Sequence, residues 1–422
     1  MPHRARENIS MANYYDKLET RQQESRERWQ LERLPRQIAH AKARAPAFSR
    51  ILEKIDPEAI KTREALRDIP ITRKSDLLSL QNASRPFGGF AAAQWGEAAR
   101  VFASPGPLYE PEGRGRDPWR IARALFAAGF RLGELVHNCY SYHFTPAGSM
   151  METAAHALGC TVFPGGTGQT EMQVQAMADL RPDGYVGTPS FLKIILEKAD
   201  EMGVKLKGFR KALVSAEPFP NSLRDWFLTR GIAGYQLYAT ADVGAIAYET
   251  EARAGLVIDE GVLVEIVRPG TGDHVPPGEV GEVVVTSLFN TAYPMIRFGT
   301  GDLSAVLPGQ SPCGRTNTRI KGWMGRADQT TKVKGMFVHP SQIAAIASRH
   351  PKISKARLVV DNSSGFDRMT LNVEIAGNDS SEIDAIVATV RDITNLRADI
   401  AFRPPGELPN DGKVIDDIRK FD

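Results

Sequence analysis

Between residues 100 and 240, short apolar runs alternate with longer amphipathic stretches, and this alternation sets the expected fold. Strand-like LVHNC, TVF, GYVG, KALV and YQLYAT stand apart from segments whose apolar residues recur every three or four positions. Those segments predict helices over 119–130, 149–158, 170–179, 190–202 and 221–230. The Gly/Pro-containing stretch 104–118 is expected to be a loop. Strands separated by helices in this way build a mostly parallel sheet covered on both faces. Ahead of it, 14–54 is charged and helical, with Leu18, Trp29, Leu31, Leu34, Ile38 and Ala41 near 3.6-residue spacing. Thr72 or Ser75 is placed to cap a helix starting near Asp76. After Leu256 strands follow one another without helices, which predicts a small antiparallel β-subdomain over 256–323. From 329 onward the order is strand, helix, two strands, helix, strand. The expected architecture is therefore an α/β and α+β multidomain protein. Residues 1–13 are a disordered tail, 14–327 a large domain, and 328–422 a small mobile lid hinged near residue 328.

Composition narrows the function classes. The chain has 422 residues, 42% hydrophobic and 24% charged, with a formal charge of +3. That charge is too small, and its Lys/Arg residues too dispersed, to predict a nucleic-acid partner. Cys139, Cys160 and Cys313 lie far apart with no CxxC spacing. They predict a reducing compartment, with neither a disulfide framework nor a zinc site. No apolar run approaches the length of a membrane span, and MPHRARENIS has no apolar core after its charges. A cytoplasmic protein with no membrane association is the expectation.

Candidate chemistry gathers in loops after strands, where open α/β sheets place ligands. These are SPGPLYEP (104–111), YSYHFTP (140–146), GGTGQT (165–170), GTPS (187–190), SAEP (215–218) and YATAD (238–242). In RFGTGDL, Arg297 and Asp302 flank Gly299 and Gly301, so a polar ligand can approach backbone and carboxylate together. Asp302 is able to accept two hydroxyl hydrogen bonds, as in ribose recognition. The competing reading is a surface ion pair in a hairpin turn. Downstream, GRAD followed by TKVKG has the look of a pivot leading into a separate unit.

Taken in order, PGGTGQTEMQ, GTPSFL, SAEPFP, PGEVGEVVVTSL, MIRFGTGDL, GRADQTTKVKGMFVHPSQI and LPNDGKVID carry a resemblance. The chain resembles the adenylate-forming acyl-CoA synthetase superfamily, in particular the phenylacetate–CoA ligase family, from about Tyr14 to its last residues. The resemblance implies the adenylate-forming enzyme fold and a two-step reaction using ATP, Mg2+ and CoA. A carboxylic acid forms an acyl-adenylate, the lid turns on its hinge, and the CoA thiol displaces AMP. It implies Lys413 as the lid lysine of adenylation and Asp302 as the ribose anchor. It also implies Asp328 as the pivot, with Arg326 against the nucleotide; a surface salt bridge is the plain alternative for that pair. Ala216, Glu217 and Pro218 would line adenine, and Tyr238, Ala239 and Thr240 would lie beside it. A strand-end turn and a core tyrosine are the structural alternatives. Asp242 would be the magnesium carboxylate. Tyr140, Tyr142 and Phe144, next to His143, would form an aromatic acyl pocket walled by Gly165 and Gly166, suited to an aryl or arylacetic acid. Some relatives carry a Cys/His zinc site, but Ser311 stands where a cysteine would pair with Cys313, so no structural zinc is expected. A homodimer is the family's habit.

Two stretches depart from the family. The usual Tyr-Gly-hydrophobic-Ser/Thr-Glu motif reads Tyr238-Ala239-Thr240-Ala241-Asp242, one methylene short at the carboxylate and lacking a hydroxyl at Ala241. The phosphate loop, usually Ser-Ser-Gly-Thr-Thr-Gly-Lys-Pro, reads here from Ser104 to Pro111. Ser104 and Gly106 remain. The threonines and the lysine are gone, Pro105 and Pro107 remove N–H donors, and Glu110 adds negative charge. Arg114 and Arg116 could supply charge instead, or simply be solvated. Three readings follow: an acid–CoA ligase, a degenerate member that binds nucleotide, acyl-adenylate or CoA, and an adenylating enzyme that loads a carrier protein.

Overall fold

The computed structural model describes residues 13–419 apart from 105–106, 269–271, 328, 330, 334–335, 339, 363–365, 376–381 and 410–412. Most of the expected tail therefore lies outside the described residues. The chain divides into two compact units, 1–324 and 325–422.

The first unit is built on two sheets. In the larger, among the described residues, Thr161–Phe163, Leu135–Asn138, Gly184–Gly187, Lys211–Val214 and Ala233–Thr240 run parallel, in that spatial order. Gly244–Tyr248, Leu256–Ile258, Arg319–Ile320 and Val306–Leu307 extend it antiparallel. Helices Ala147–Leu158, Thr170–Leu180, Pro189–Glu201 and Asn221–Thr229 connect the parallel strands. Val136, Tyr185, Val186, Leu213 and Val214 are completely buried. Such strands read as continuous apolar runs because helices cover both faces. The second sheet orders Thr72–Arg73, Phe298–Ser304, Gly281–Ser287 and Val262–Val267.

The stretch 256–323, expected as one β-subdomain, thus divides its strands between two sheets. Its residues Ile258, Val262, Val283, Val285 and Phe298 pack into one core with Leu34 and Ile38 of the N-terminal helix. The expected loop 104–118 is also different. Ala98–Ser104 and Leu108–Gly113 pair as an antiparallel hairpin, with Ser104 opposite Leu108. Pro111 faces Val101 within the ladder. The helix expected over 119–130 shortens to Ala122–Ala127. Its start is set by Asp117, whose carboxylate accepts the N–H groups of Ile121 and Ala122. The helix expected near Asp76 starts earlier, at Lys74, directly after the short strand Thr72–Arg73. N-terminal helices Gln23–Arg44 and Pro46–Ile51 break at Ala45 because Pro46 opens the second.

The second unit is a four-stranded sheet ordered Asp399–Arg403, Arg368–Ile375, Ile353–Asp361 and Ile415–Asp417. Helices Pro340–Arg349 and Ile383–Thr394 belong to it, and Ile343, Ile346, Ile386 and Val390 join its strands in one core. Among the described residues no helix is long and apolar enough to cross a membrane.

Candidate functional site

The end of the parallel sheet in the first unit encloses a cavity of about 260 Å3 lined by Ser215–Pro218, Gln236–Ala239, Asp302 and Trp323. Four chain segments meet there. Residues 215–218 follow the strand Lys211–Val214, and Tyr238 and Ala239 sit near the end of Ala233–Thr240. Asp302 comes from Phe298–Ser304 of the other sheet. Ala216 has φ +73 and Gly301, next to Asp302, has φ +75. A non-glycine residue in the left-handed region is strained backbone, often found where a loop is shaped for a ligand. Glu217 Oε1 accepts the Ser190 N–H at 2.6 Å and Ser215 Oγ donates to the Leu237 carbonyl at 2.7 Å. The turn is thereby tied to the start of the next helix and to the neighbouring strand, leaving its backbone facing the cavity.

Asp302 is 8% exposed. Its Oδ2 accepts the Tyr238 hydroxyl at 2.9 Å and its Oδ1 accepts Trp323 Nε1–H at 3.2 Å. The Tyr238 hydroxyl also lies 3.3 Å from Thr300 Oγ1, which in turn accepts the Asp302 N–H. These donors hold the carboxylate plane, and a carboxylate oxygen can accept more than one hydrogen bond. Trp323, half exposed on the cavity rim, offers a flat apolar face. Of the residues expected at the nucleotide, Ala216, Glu217, Pro218, Tyr238, Ala239 and Asp302 share this cavity. Thr240 does not line it. Its Oγ1 accepts the Val243 N–H and caps the tight turn leading to the next strand.

Arg297, expected beside Asp302 on a ligand edge, is a buried strut. Its guanidinium makes two bonds to Glu265, at 2.9 and 3.1 Å, and donates to the carbonyls of Arg67, Ile69 and Gly272. Arg297 precedes the strand Phe298–Ser304 with φ +42, and the strand is irregular around Gly301 at φ +75, so nearness in sequence does not set a shared direction for Arg297 and Asp302. Neither the ligand edge nor a surface pair describes Arg297.

That turn carries the second cluster. Asp242 is completely buried, its Oδ2 accepts Lys74 Nζ at 2.6 Å, and among the described residues its Oδ1 meets no donor. Glu110, also completely buried, accepts both the hydroxyl and the N–H of Ser104. Burial and the charge of Asp242 push the Glu110 carboxyl up to about 7, against the pull of Ser104 and Lys74. The stretch where the family has its phosphate loop is thus the hairpin carrying these groups. Gly106 lies outside the described residues. Arg114 and Arg116 sit beyond the other end of the hairpin, donating to the carbonyls of Gly96 and Ala157. No group of three or more His, Cys, Asp or Glu side chains fit for a metal occurs among the described residues. Mg2+ usually takes only one or two carboxylates and completes its shell with waters and phosphates. A buried carboxylate oxygen without a donor fits that ion, and Asp242 is the residue that would hold it. Lys74 was not legible beforehand, since its partner lies 168 residues away; the Arg73-Lys74 pair closing an apolar run was the only signal.

The aromatic group expected as an acyl pocket does not line the 215–239 cavity. Tyr140 is buried, its hydroxyl near Ser215 and Glu217, and burial pushes that hydroxyl far up. Tyr142 accepts Asn138 Nδ2–H at 2.8 Å. Phe144 is 82% exposed with φ +62. Gly165 and Gly166 belong to a loop clamped by Gln173, whose Nε2 donates to the carbonyls of Gly165, Gly166 and Gly168. A Cβ at Gly165 would lie 2.5 Å from Gln173 Oε1. The loop is therefore rigid by virtue of a helix residue that motif reading missed.

In the second unit, Lys413 pairs with Asp416 at 2.8 Å and its carbonyl accepts Arg357 Nε–H at 3.0 Å. Gln329 Oε1 accepts the N–H groups of Val414 and Ile415. The segment carrying Lys413 is thus fastened to the first residues of its own unit. Arg326 is half-buried there. Asp328 lies outside the described residues.

The chain is similar to known proteins. The AMP-binding enzyme family model matches residues 122–291. A phenylacetate–coenzyme A ligase of Thermus thermophilus is 31% identical, with 96% of this chain and 100% of that protein aligned. One from Aromatoleum evansii is 33% identical over 82% of this chain and 81% of its own. Among solved structures, a 2-hydroxyisobutyryl-CoA ligase in complex with 2-HIB-AMP and CoA superposes with a TM-score of 0.72 at 25% identity. The superposition covers 97% of this chain and 93% of that one.

Proposed function

The chain belongs to the phenylacetate–CoA ligase family of adenylate-forming acyl-CoA synthetases, and from that premise we propose that it joins an aryl or arylacetic acid to CoA. The observation that carries this reading is the Asp302 cavity, where an adenine-sized slot, a ribose-type carboxylate and a strained backbone turn converge.

Adenine lies against Ala216–Pro218 and Tyr238, with backbone groups of the turn reading its edge. The Asp302 carboxylate accepts the ribose hydroxyls while Tyr238 and Trp323 hold its plane. An oxygen of the substrate carboxylate attacks the α-phosphorus, the bond to the β-phosphate oxygen breaks, and pyrophosphate leaves. Lys413 supplies positive charge to that transition state. Asp242 would hold a magnesium ion, which when bound would supply neutralising charge at the phosphates. In the second step the CoA sulfur attacks the acyl carbon and AMP departs, while the thiol proton passes to solvent. Turning of the 325–422 unit about Asp328, with Arg326 contacting the nucleotide, exchanges the two active forms. Tyr140, Tyr142 and the Gln173-clamped loop at Gly165 and Gly166 form the wall facing the aromatic acid. Phe144 closes over it only by moving from its exposed position. The three free thiols fit a cytoplasmic setting.

One observation favours a second reading, that of a nucleotide or acyl-adenylate binder without adenylation. The hairpin places a buried Glu110 where phosphates are usually cradled. The test is a panel of aryl and arylacetic acids with ATP, Mg2+ and CoA, following AMP and thioester formation by chromatography. At least one acid is expected to give equal amounts of both. Binding of AMP or acyl-adenylate with no AMP formed from ATP and any acid overturns the ligase reading. AMP formed without a thioester until a pantetheinylated carrier protein is added moves the acceptor from CoA to that carrier.

A further inference from the structure

We propose that His137 is a positioning residue for the substrate acid, fixing through the side-chain amide of Gln173 the loop 164–169 against which that acid packs. The identity of the acid rests on the ligase reading, whereas the clamp is a property of the protein alone.

His137 lies near the ligand end of the parallel sheet, in register with Phe163 on one side and Tyr185 on the other. Successive side chains leave opposite faces of a strand, and here they serve two loops. Asn138 Nδ2–H donates to the Tyr142 hydroxyl at 2.8 Å and to the Gly148 carbonyl at 2.9 Å. His137 is completely buried and stacked on Phe163, and its Nε2 lies 2.7 Å from Gln173 Oε1. Gln173 Nε2 donates to the carbonyls of Gly165, Gly166 and Gly168 at 2.8, 3.1 and 3.3 Å. Those carbonyls accept only from the amide nitrogen, so the amide oxygen faces His137 and the imidazole carries its proton on Nε2. Among the described residues Nδ1 meets no partner. The other tautomer and the charged ring would each bury an unpaired N–H, which is costly. Cys139 Sγ, 3.7 Å from the same oxygen, is too weak a donor to replace His137.

The loop rests directly on this pair. A Cβ at Gly165 would lie 2.5 Å from Gln173 Oε1 and 3.0 Å from His137 Nε2. The Gly166 N–H donates to the Asn138 carbonyl at 3.0 Å, folding the loop over the end of that strand. Across the sheet Asn138 pairs with Val186 and Val186 with Leu213, two residues before the Ser215–Pro218 turn of the Asp302 cavity. Two strand spacings, roughly 10 Å, thus separate Asn138 from the strand leading to that turn. That interval is on the scale of an arylacetyl group, so a shift of the loop changes the room left for the acid.

The test compares full-length wild type with His137→Leu and with His137→Gln, which offers an amide donor in place of Nε2–H. Hydrogen exchange without substrates is read by mass spectrometry over 164–169, with the strand Lys211–Val214 as internal reference. His137→Leu should exchange about tenfold faster in the loop and equally in the reference, and His137→Gln should exchange as wild type does. With an acid that wild type turns over, His137→Leu should raise the KM for that acid about tenfold, the scale of one buried hydrogen bond, and leave the KM for ATP within about twofold. A residue that only stabilised the fold would not separate the two KM values. If His137→Leu does not fold, Gln173→Glu takes its place with the same expectations, since it keeps the acceptor for His137 and loses the three donors. Nitrogen-15 shifts of labelled wild type, assigned by the signals that His137→Gln removes, should show a neutral ring protonated on Nε2 at neutral pH. A ring protonated on Nδ1, unchanged loop exchange in the folded variant, or an acid KM within about twofold of wild type overturns the proposal. Faster loop exchange in a protein that forms no AMP from any acid leaves the clamp standing and sinks the ligase reading alone.

Discussion

Replacing Asp302 by Ala separates nucleotide recognition from stability, because the two rest on different lone pairs of one carboxylate. In the protein alone its oxygens accept Tyr238 Oη–H and Trp323 Nε1–H. A bound ribose adds up to two hydroxyl donors to the same oxygens. A hydrogen bond to a charged group contributes about 1.5–3 kcal/mol, and the lower figure suits hydroxyls that water also satisfies. Two such bonds amount to about 3 kcal/mol, or an AMP affinity roughly 100-fold weaker. Alanine also strands the buried Tyr238 hydroxyl, lowering stability by about 1–3 kcal/mol. Asp302→Asn keeps a neutral acceptor for Tyr238, so it should spare more of the stability while still losing charge-assisted ribose bonds. Calorimetric titration of AMP, with urea unfolding of each variant, measures both quantities. A folded Asp302→Ala protein that binds AMP within threefold of wild type would refute the ribose assignment, whatever its stability.

Three other outcomes follow from the site and its supports. Lys413→Ala should abolish adenylation yet leave thioester formation from supplied acyl-adenylate largely intact, and equal loss in both half-reactions counts against its assigned role. Arg297→Met removes the guanidinium from the buried Glu265, which His274 also contacts, so urea unfolding should show a loss of about 3 kcal/mol; a loss below about 1 kcal/mol would deny the strut. Finally, the folded protein holds the Glu110 proton up to about 7, whereas the unfolded chain releases it near 4.5. Between those values the folded state binds the extra proton, so this contribution is fully present at low pH and fades as pH rises through 7. The interval corresponds to roughly 3 kcal/mol at most. In chelator, Glu110→Gln should therefore gain on wild type between about pH 5 and 8, and parallel pH–stability curves would disprove the buried-acid description.

How much of the site was legible depended on whether its parts are local. SAEP and YATAD were readable because backbone turns and strand ends are written in consecutive residues. Asp302 was readable from GTGD for the same reason. Its partner Trp323 was not, since their bond joins positions 21 apart across a turn. Gln173 looked like an ordinary helix residue until the loop at 165–168 closed on its amide. Arg297 was misjudged because motif proximity suggested shared orientation, whereas its left-handed backbone before the strand and the irregularity at Gly301 let its side chain run to Glu265.

The sequence by itself determined the alternation of strands and helices, the parallel sheet and the separate C-terminal unit. Hydrophobic periodicity and chain connectivity are local properties, and they suffice for that. Only the tertiary structure decided that strands from 256 to 323 divide between two sheets, because pairing partners compete across the whole chain. It alone turned the proline-bounded stretch after Ser104 into a hairpin, and brought Lys74 to Asp242 over 168 residues. Whether a buried carboxylate is a liability or a ligand depends on what folding places beside it, and no neighbour in sequence supplies that information.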